Sequence, residues 1–175
     1  NGNRTPKDGE LWYRGYNVQN LIKSLSPDEF GFEKTAYLLL FGQMPTPEEE
    51  KEFAGVLGKS RTLPSNFTRD VIMKAPSKDI MNSMTRSILT LASYDDLTSD
   101  SSVANNIRQC INLIATFPML AVYGYHAYNH YENDQSMYIH RPDPKLSTAE
   151  NFLRMLRADN KYTQLEARVL DVALM

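Results

Sequence analysis

Cysteine is nearly missing from this sequence. Cys110 is the only one in 175 residues, so no internal disulfide can form and no cysteine cage can hold a metal. There is no run of 18 apolar residues and no basic-then-apolar leader, so a soluble, intracellular and cytoplasmic protein without a membrane partner is expected. An excess of one charge is lacking too. Nineteen basic against 21 acidic side chains leave a net charge of −2, which gives no general attraction to nucleic acid. Phosphate-cradling glycine loops, serine-nucleophile motifs, internal repeats and low-complexity segments are absent. No segment alternates in steps of two, and hairpin turn signals are scarce, which argues against a strand-built fold.

What is present is apolar bulk and helix punctuation. Ten Tyr, seven Phe and eight Met supply core material, and 42% of the chain is hydrophobic. Residues 1–16 read as a loop with a short extended piece at Glu10–Arg14. Residues 17–175 read as helical. Asn17 can cap a short helix carrying Val18, Leu21 and Ile22. Ser26-Pro27-Asp28-Glu29 is expected to open a helix running through Leu40, which Gly42 ends. Thr46-Pro47-Glu48-Glu49, Ser147-Thr148-Ala149-Glu150 and Thr163-Gln164-Leu165-Glu166 each have capping-box spacing, in which hydroxyl and carboxylate satisfy each other's backbone amides. Ile80, Met81, Met84, Ile88 and Leu91 mark one face of a helix from Lys78 to Tyr94. In the polar loop that follows, Asp95, Asp96 and Asp100 are expected to be solvated. The next helical pattern spans Val103 to Tyr131, with Pro118 expected to kink or break it near Phe117. Asn133 to Lys145 is a structured loop. The fold class is all-α. The apolar helical pattern of Leu170 to Met175 has no stop signal, so a piece of a longer protein is expected.

The three histidines are the side chains most able to titrate near neutral pH. His126 and His130 are four apart on one helix and could face a common metal, with Glu132 as a third ligand. The residues between them lack the glutamate base of a zinc hydrolase, and two exposed or half-buried rings among tyrosines is the alternative. His140 precedes Arg141-Pro142, and a loop histidine beside an arginine can bind a substrate carboxylate. It can equally be a surface residue. No complete reaction centre assembles from these side chains.

Several segments resemble citrate synthases. Leu11-Trp12-Tyr13-Arg14-Gly15-Tyr16 with Val18 and Leu21 is similar to the family's L-x-Y-R-G-Y-x-I-x-x-L. Phe32 to Thr46 resembles E-x-x-Y-L-L-L-x-G-x-L-P-T. Ile111 to Pro118 resembles the helix ending L-I-A-K-x-P, and Leu146 to Leu156 resembles L-S-x-A-x-N-F-L-x-M-L. Arg168 to Leu174 looks like the helix leading into the family's His-x-x-His segment. The chain departs at Ala75-Pro76-Ser77, where many relatives have His-Pro-Met, and at Thr148, where many have an aromatic residue or His.

The resemblance implies the helical large domain of a two-domain enzyme, incomplete here, with the small domain and the rest of the large domain outside residues 17–175. It implies an acyltransferase of the tricarboxylic acid cycle that condenses acetyl-CoA with oxaloacetate. Acetyl-CoA is a substrate; no cofactor and no metal are implied. An aspartate and two histidines would do the acid–base work, all in segments beyond Met175, so no catalytic residue is carried onto this chain. His140 is raised as a substrate-binding residue, with Asn151 and Phe152 as pocket wall. A homodimer is implied, and the long Val103–Tyr131 helix, nearly uncharged after Arg108, is expected to contribute to its contact. A 2-methylcitrate synthase parent and a non-catalytic helical interaction module are the alternatives.

Overall fold

Tyr13-Arg14-Gly15-Tyr16 folds as a tight hairpin that the sequence reading took for a single extended piece. Arg14 (φ 50°) and Gly15 (φ 88°) both have positive φ, as a type I′ turn requires. They join Trp12–Tyr13 (β1) to Tyr16–Asn17 (β2), antiparallel, with Tyr13 opposite Tyr16. The Arg14 guanidinium then donates to the Leu39 carbonyl at 3.1 Å. The computed structural model describes residues 8–26 and 29–175.

Among the described residues everything larger is helix. In chain order these are Val18–Ser24 (α1), Phe32–Phe41 (α2), Pro47–Ser60 (α3), Ile80–Leu91 (α4), Val103–Glu132 (α5), Thr148–Leu156 (α6) and Gln164–Leu174 (α7). Asn17 caps α1 as expected, accepting from the Asn20 amide. All three capping boxes form with both hydrogen bonds in place. Gly42 ends α2 in the left-handed region at φ 82°, its amide donating to Leu38.

The start of α2 differs from the expectation at Ser26. The helix opens at Phe32, and its cap comes from 140 residues away. Asp171 of α7, with no exposed surface, accepts from the Gly31 amide at 2.6 Å and the Phe32 amide at 3.1 Å. Glu29 instead closes a local turn with Ser26, while Pro27 and Asp28 lie outside the described residues. A long-range carboxylate has replaced the local cap.

α5 is the spine, lying against α3, α4 and α6. One apolar cluster gathers Phe67, Ile72, Met119, Leu120, Val122, Tyr123, Ala127 and Met155. A second joins Ala36 of α2, Phe53 and Leu57 of α3 and Ala115 of α5. Pro118 does not break α5. A proline inside a helix costs about 3 kcal/mol, but each large side chain buried beside it returns roughly 1.5–3 kcal/mol. Met119, Leu120, Val122 and Tyr123 are all at most 5% exposed, so packing wins.

Two further corrections concern α4 and the segment before it. Met81 points outward at 70% exposure, and the buried positions are Ser83 and Ser87. Small residues suit this face because α5 approaches closely there: a Cβ on Gly124 would lie 3.7 Å from the Ser83 Cβ. Between α3 and α4, a π-type turn at Thr68–Ile72 delivers Phe67 and Ile72 to the core, an element the periodicity did not mark.

Gly58 shows how closely the loop before α6 crosses α3. A Cβ there would sit 2.3 Å from the Pro144 carbonyl oxygen, whereas one on Gly55 of the same helix meets nothing within 4 Å. Ala for Gly within a helix is worth about 1 kcal/mol of propensity, and overpacking costs roughly 1–3 kcal/mol. Gly58→Ala should therefore destabilise and Gly55→Ala stabilise, read as opposite shifts of the urea midpoint. The Glu166 carboxyl, bonded by Arg157 and by Thr163, is held down to about 2. A lowered acid adds stability above its ordinary value of 4.5 and loses it as pH falls toward 2. The gap in melting temperature between the native chain and Glu166→Gln should be full at neutral pH and close across that window.

Candidate functional site

The loop of residues 133–147 runs as a strap from the end of α5 to the start of α6, and two sets of polar groups fasten it. At its α6 end lies a buried charge cluster. Arg61, which ends α3, is 7% exposed; Glu33, in the first turn of α2, is 6% exposed. The guanidinium donates to the Leu146 carbonyl at 2.5 Å, to Thr148 Oγ1 at 3.2 Å and to Glu33 Oε1 at 3.5 Å. Glu33 Oε1 also accepts from the Thr148 amide at 2.7 Å, so the carboxylate sits at the positive end of α6. Burial pulls the Arg61 guanidinium below its ordinary value, while Glu33, Glu150 and Asp143 push it back up. Thr148, a departure from the family pattern, is buried and supplies the hydroxyl in this cluster.

Asn151, expected as pocket wall, is 1% exposed and grips the strap. Its Nδ2 donates to the carbonyls of Asp143, Leu146 and Ser147, and its Oδ1 accepts from the Asp143 amide at 2.7 Å. Phe152 is half-buried against the apolar cluster of α5.

The strap's other fastening is the carbonyl end of α6. His126 Nε2 meets the Met155 carbonyl at 3.1 Å, Tyr138 Oη donates to Leu156 at 3.2 Å, and His140 Nε2 meets Ala158 at 3.1 Å. A carbonyl only accepts, so His126 and His140 each carry their proton on Nε2. Tyr123 Oη donates to the His140 carbonyl at 2.8 Å, and burial pushes the Tyr123 hydroxyl up to about 12. Arg154 donates to the Arg141 carbonyl, and the Arg141 side chain is exposed.

The histidines are thus paired differently from the sequence reading. His126 is buried at 4% exposure, not exposed or half-buried. Its neighbour is Tyr138, ring centroids 4.3 Å apart, with His140 beyond at 5.3 Å from Tyr138. His130 turns instead to the Gln135 carbonyl at 2.8 Å. Among the described residues no three His, Cys, Asp or Glu side chains converge on a common point.

Asp95 is not simply solvated. Arg108 donates to both its oxygens at 2.8 Å and Gln109 to one at 3.1 Å, and these bonds hold its carboxyl below the usual range. This pair lines a cleft of about 720 Å³ with Lys59, Tyr94 and Asn112, and no strap residue borders it. Sequence reasoning missed the Arg61 cluster. Its only signal was a lone carboxylate, Glu33, at the head of the apolar run Tyr37–Phe41.

Comparison with known proteins bears on what this scaffold belongs to. The chain is 30% identical over 149 residues to the citrate synthase of Corynebacterium glutamicum, covering 85% of this chain and 32% of that one. It is 27% identical over 153 residues to 2-methylcitrate synthase 1 of the same organism, covering 86% and 37%. The chain therefore spans about a third of the length of these curated relatives. In fold it resembles the citrate synthase of Thermoplasma acidophilum, solved with carboxymethyl coenzyme A and oxaloacetate, with a TM-score of 0.76 at 22% identity over 94% of this chain and 40% of that one. The family model described as citrate synthase, C-terminal domain, matches residues 2–175, and with that continuous match the chain belongs to the citrate synthase family.

Proposed function

We propose that this chain is helical scaffold of an enzyme that condenses acetyl-CoA with oxaloacetate to citrate and CoA, the acyl group becoming an alkyl group on transfer. By itself it does not turn over. One observation carries the second statement: each of the three histidine rings is bonded to a backbone carbonyl of the scaffold. Condensation needs a base at the acetyl methyl and donors at the developing enol and ketone oxygens, held within hydrogen-bond reach of one another. The buried carboxylates offer no such base, since Asp171 caps α2 and Glu33 binds Arg61 and Thr148.

In the complete enzyme, the exposed guanidinium of Arg141 binds a carboxylate of the keto-diacid, and His140 joins it as a donor by exchanging the Ala158 carbonyl for the substrate. Asn151 shapes that wall indirectly, by fixing the strap from Asp143 to Ser147, and Phe152 backs it from the core. The complete enzyme works as a cytoplasmic homodimer. Leu113 (37%) and Phe117 (40%), one turn apart on α5, supply exposed apolar surface for the subunit contact.

A thiol-release assay with acetyl-CoA and oxaloacetate tests the reading: the purified 175-residue chain should release no CoA, and turnover would overturn it. The match to 2-methylcitrate synthase 1 favours a second reading, with propionyl-CoA as the acyl donor. Assays of the full-length parent distinguish the two, the first requiring a higher kcat/KM for acetyl-CoA than for propionyl-CoA.

A further inference from the structure

Among the described residues no backbone–backbone hydrogen bond involves residues 136–142 of the strap. Two side-chain donors hold their main chain instead, and these fall on adjacent carbonyls. Tyr123 Oη of α5 donates to His140 at 2.8 Å, and Arg154 of α6 donates to Arg141. Those two carbonyls belong to the same two residues that are proposed to meet the substrate.

The planarity of the peptide group makes this placement consequential. The His140 carbonyl lies in one plane with the nitrogen and Cα of Arg141. The Arg141 carbonyl lies in one plane with its own Cα and the nitrogen of Pro142. Holding both carbonyls restrains the planes on either side of the Arg141 Cα, and with them the direction in which its side chain leaves the strap. Pro142 works to the same end, because a residue before proline is confined to extended conformations.

We propose that Tyr123 and Arg154 are positioning residues for substrate, holding the His140 and Arg141 carbonyls so that imidazole and guanidinium converge on one carboxylate of the keto-diacid, which rests on the reading of His140 and Arg141 as its binding residues. The two bonds of His140 differ in how easily they are given up. Its ring meets the carbonyl of Ala158, an exposed residue, so water can replace the imidazole there at little cost when the ring turns to substrate. Tyr123 is 2% exposed, in one apolar cluster with Met119, Leu120 and Ala127, so a strap that pulled away would strand its hydroxyl out of reach of water. Nor is α5 free to follow, because Gly124 backs onto α4, where a Cβ on it would lie 3.7 Å from the Ser83 Cβ. The imidazole therefore swings while its backbone stays. Burial pushes the Tyr123 hydroxyl up to about 12, against a downward pull from the Arg141 cation, so this donor keeps its proton throughout the neutral range. Arg154 is charged at every such pH, and a cationic donor makes the stronger of the two bonds.

Steady-state kinetics of the full-length parent tests the proposal. Tyr123→Phe removes only the hydroxyl. It should raise KM for oxaloacetate about tenfold, while kcat and the KM for acetyl-CoA change by less than about twofold. Arg154→Met should act in the same direction and, because Arg154 is only half-buried, it decides the matter should Tyr123→Phe fail to fold. If both residues act through the substrate-binding pair, adding Tyr123→Phe to a parent that already carries His140→Ala and Arg141→Ala must change nothing further. A raised KM for oxaloacetate in Arg141→Gln, beside unchanged values in Tyr123→Phe and Arg154→Met, would overturn the positioning role and leave the substrate reading standing. An unchanged KM in Arg141→Gln as well would overturn both. Losses shared evenly between kcat and the two KM values, or a further rise in the doubly substituted background, would mark Tyr123 and Arg154 as general supports of the fold and equally refute the proposal.

Discussion

A buried ion pair between Arg61 and Glu33 holds the parts of this structure in register. It costs desolvation of two charges, which only full hydrogen bonding can repay. Here the surroundings provide it: two strap carbonyls and the Thr148 hydroxyl take the guanidinium, and the α6 amide of Thr148 takes the carboxylate. The pair therefore joins the head of α2, the end of α3 and the head of α6 at one point. Apolar packing alone would let these helices slide, because dispersion contacts have little directional preference. The fixed fork of a guanidinium does not.

Gly58 and Asp171 belong to the same constraint. A bare backbone at Gly58 lets Pro144 reach α3, which brings the Leu146 carbonyl onto Arg61. Asp171 ties α7 to the opening turn of α2, one residue before Glu33. Burial pushes the Asp171 carboxyl up while the Gly31 and Phe32 amides pull it down. These positions build a polar seam beneath helices that otherwise read as ordinary amphipathic segments. On that seam rests the strap, fixed at residues 143–147 and side-chain-held from 136 to 142.

Legibility from the sequence followed the range of the interaction. Capping boxes at Thr46, Ser147 and Thr163 involve residues three apart, and all were visible. The cap on α2 was not, because its carboxylate comes from Asp171 and leaves only an unremarkable Gly31-Phe32 at the helix start. Pro118 looked like a break because local cost is visible in sequence and tertiary burial is not. The Arg14-Gly15 turn was missed for the opposite reason: its signal lies in one positive-φ residue that is not glycine. At the candidate site, His140 was singled out by the arginine beside it and Asn151 by a family motif, yet their partners Ala158 and Asp143 could not be inferred. His126 was judged by its spacing to His130, while the fold turns it toward Tyr138. Arg61 carried no motif at all.

A double-mutant cycle on Arg61 and Glu33 probes the seam most directly. Arg61→Met and Glu33→Gln should each cost about 3–5 kcal/mol of unfolding free energy, because each leaves a buried charge without its partner. Made together, they should cost less than the sum by roughly 0.5–3 kcal/mol, the signature of coupled groups. Small single losses that simply add would mean that the pair is incidental and that apolar contacts alone set the helices in place.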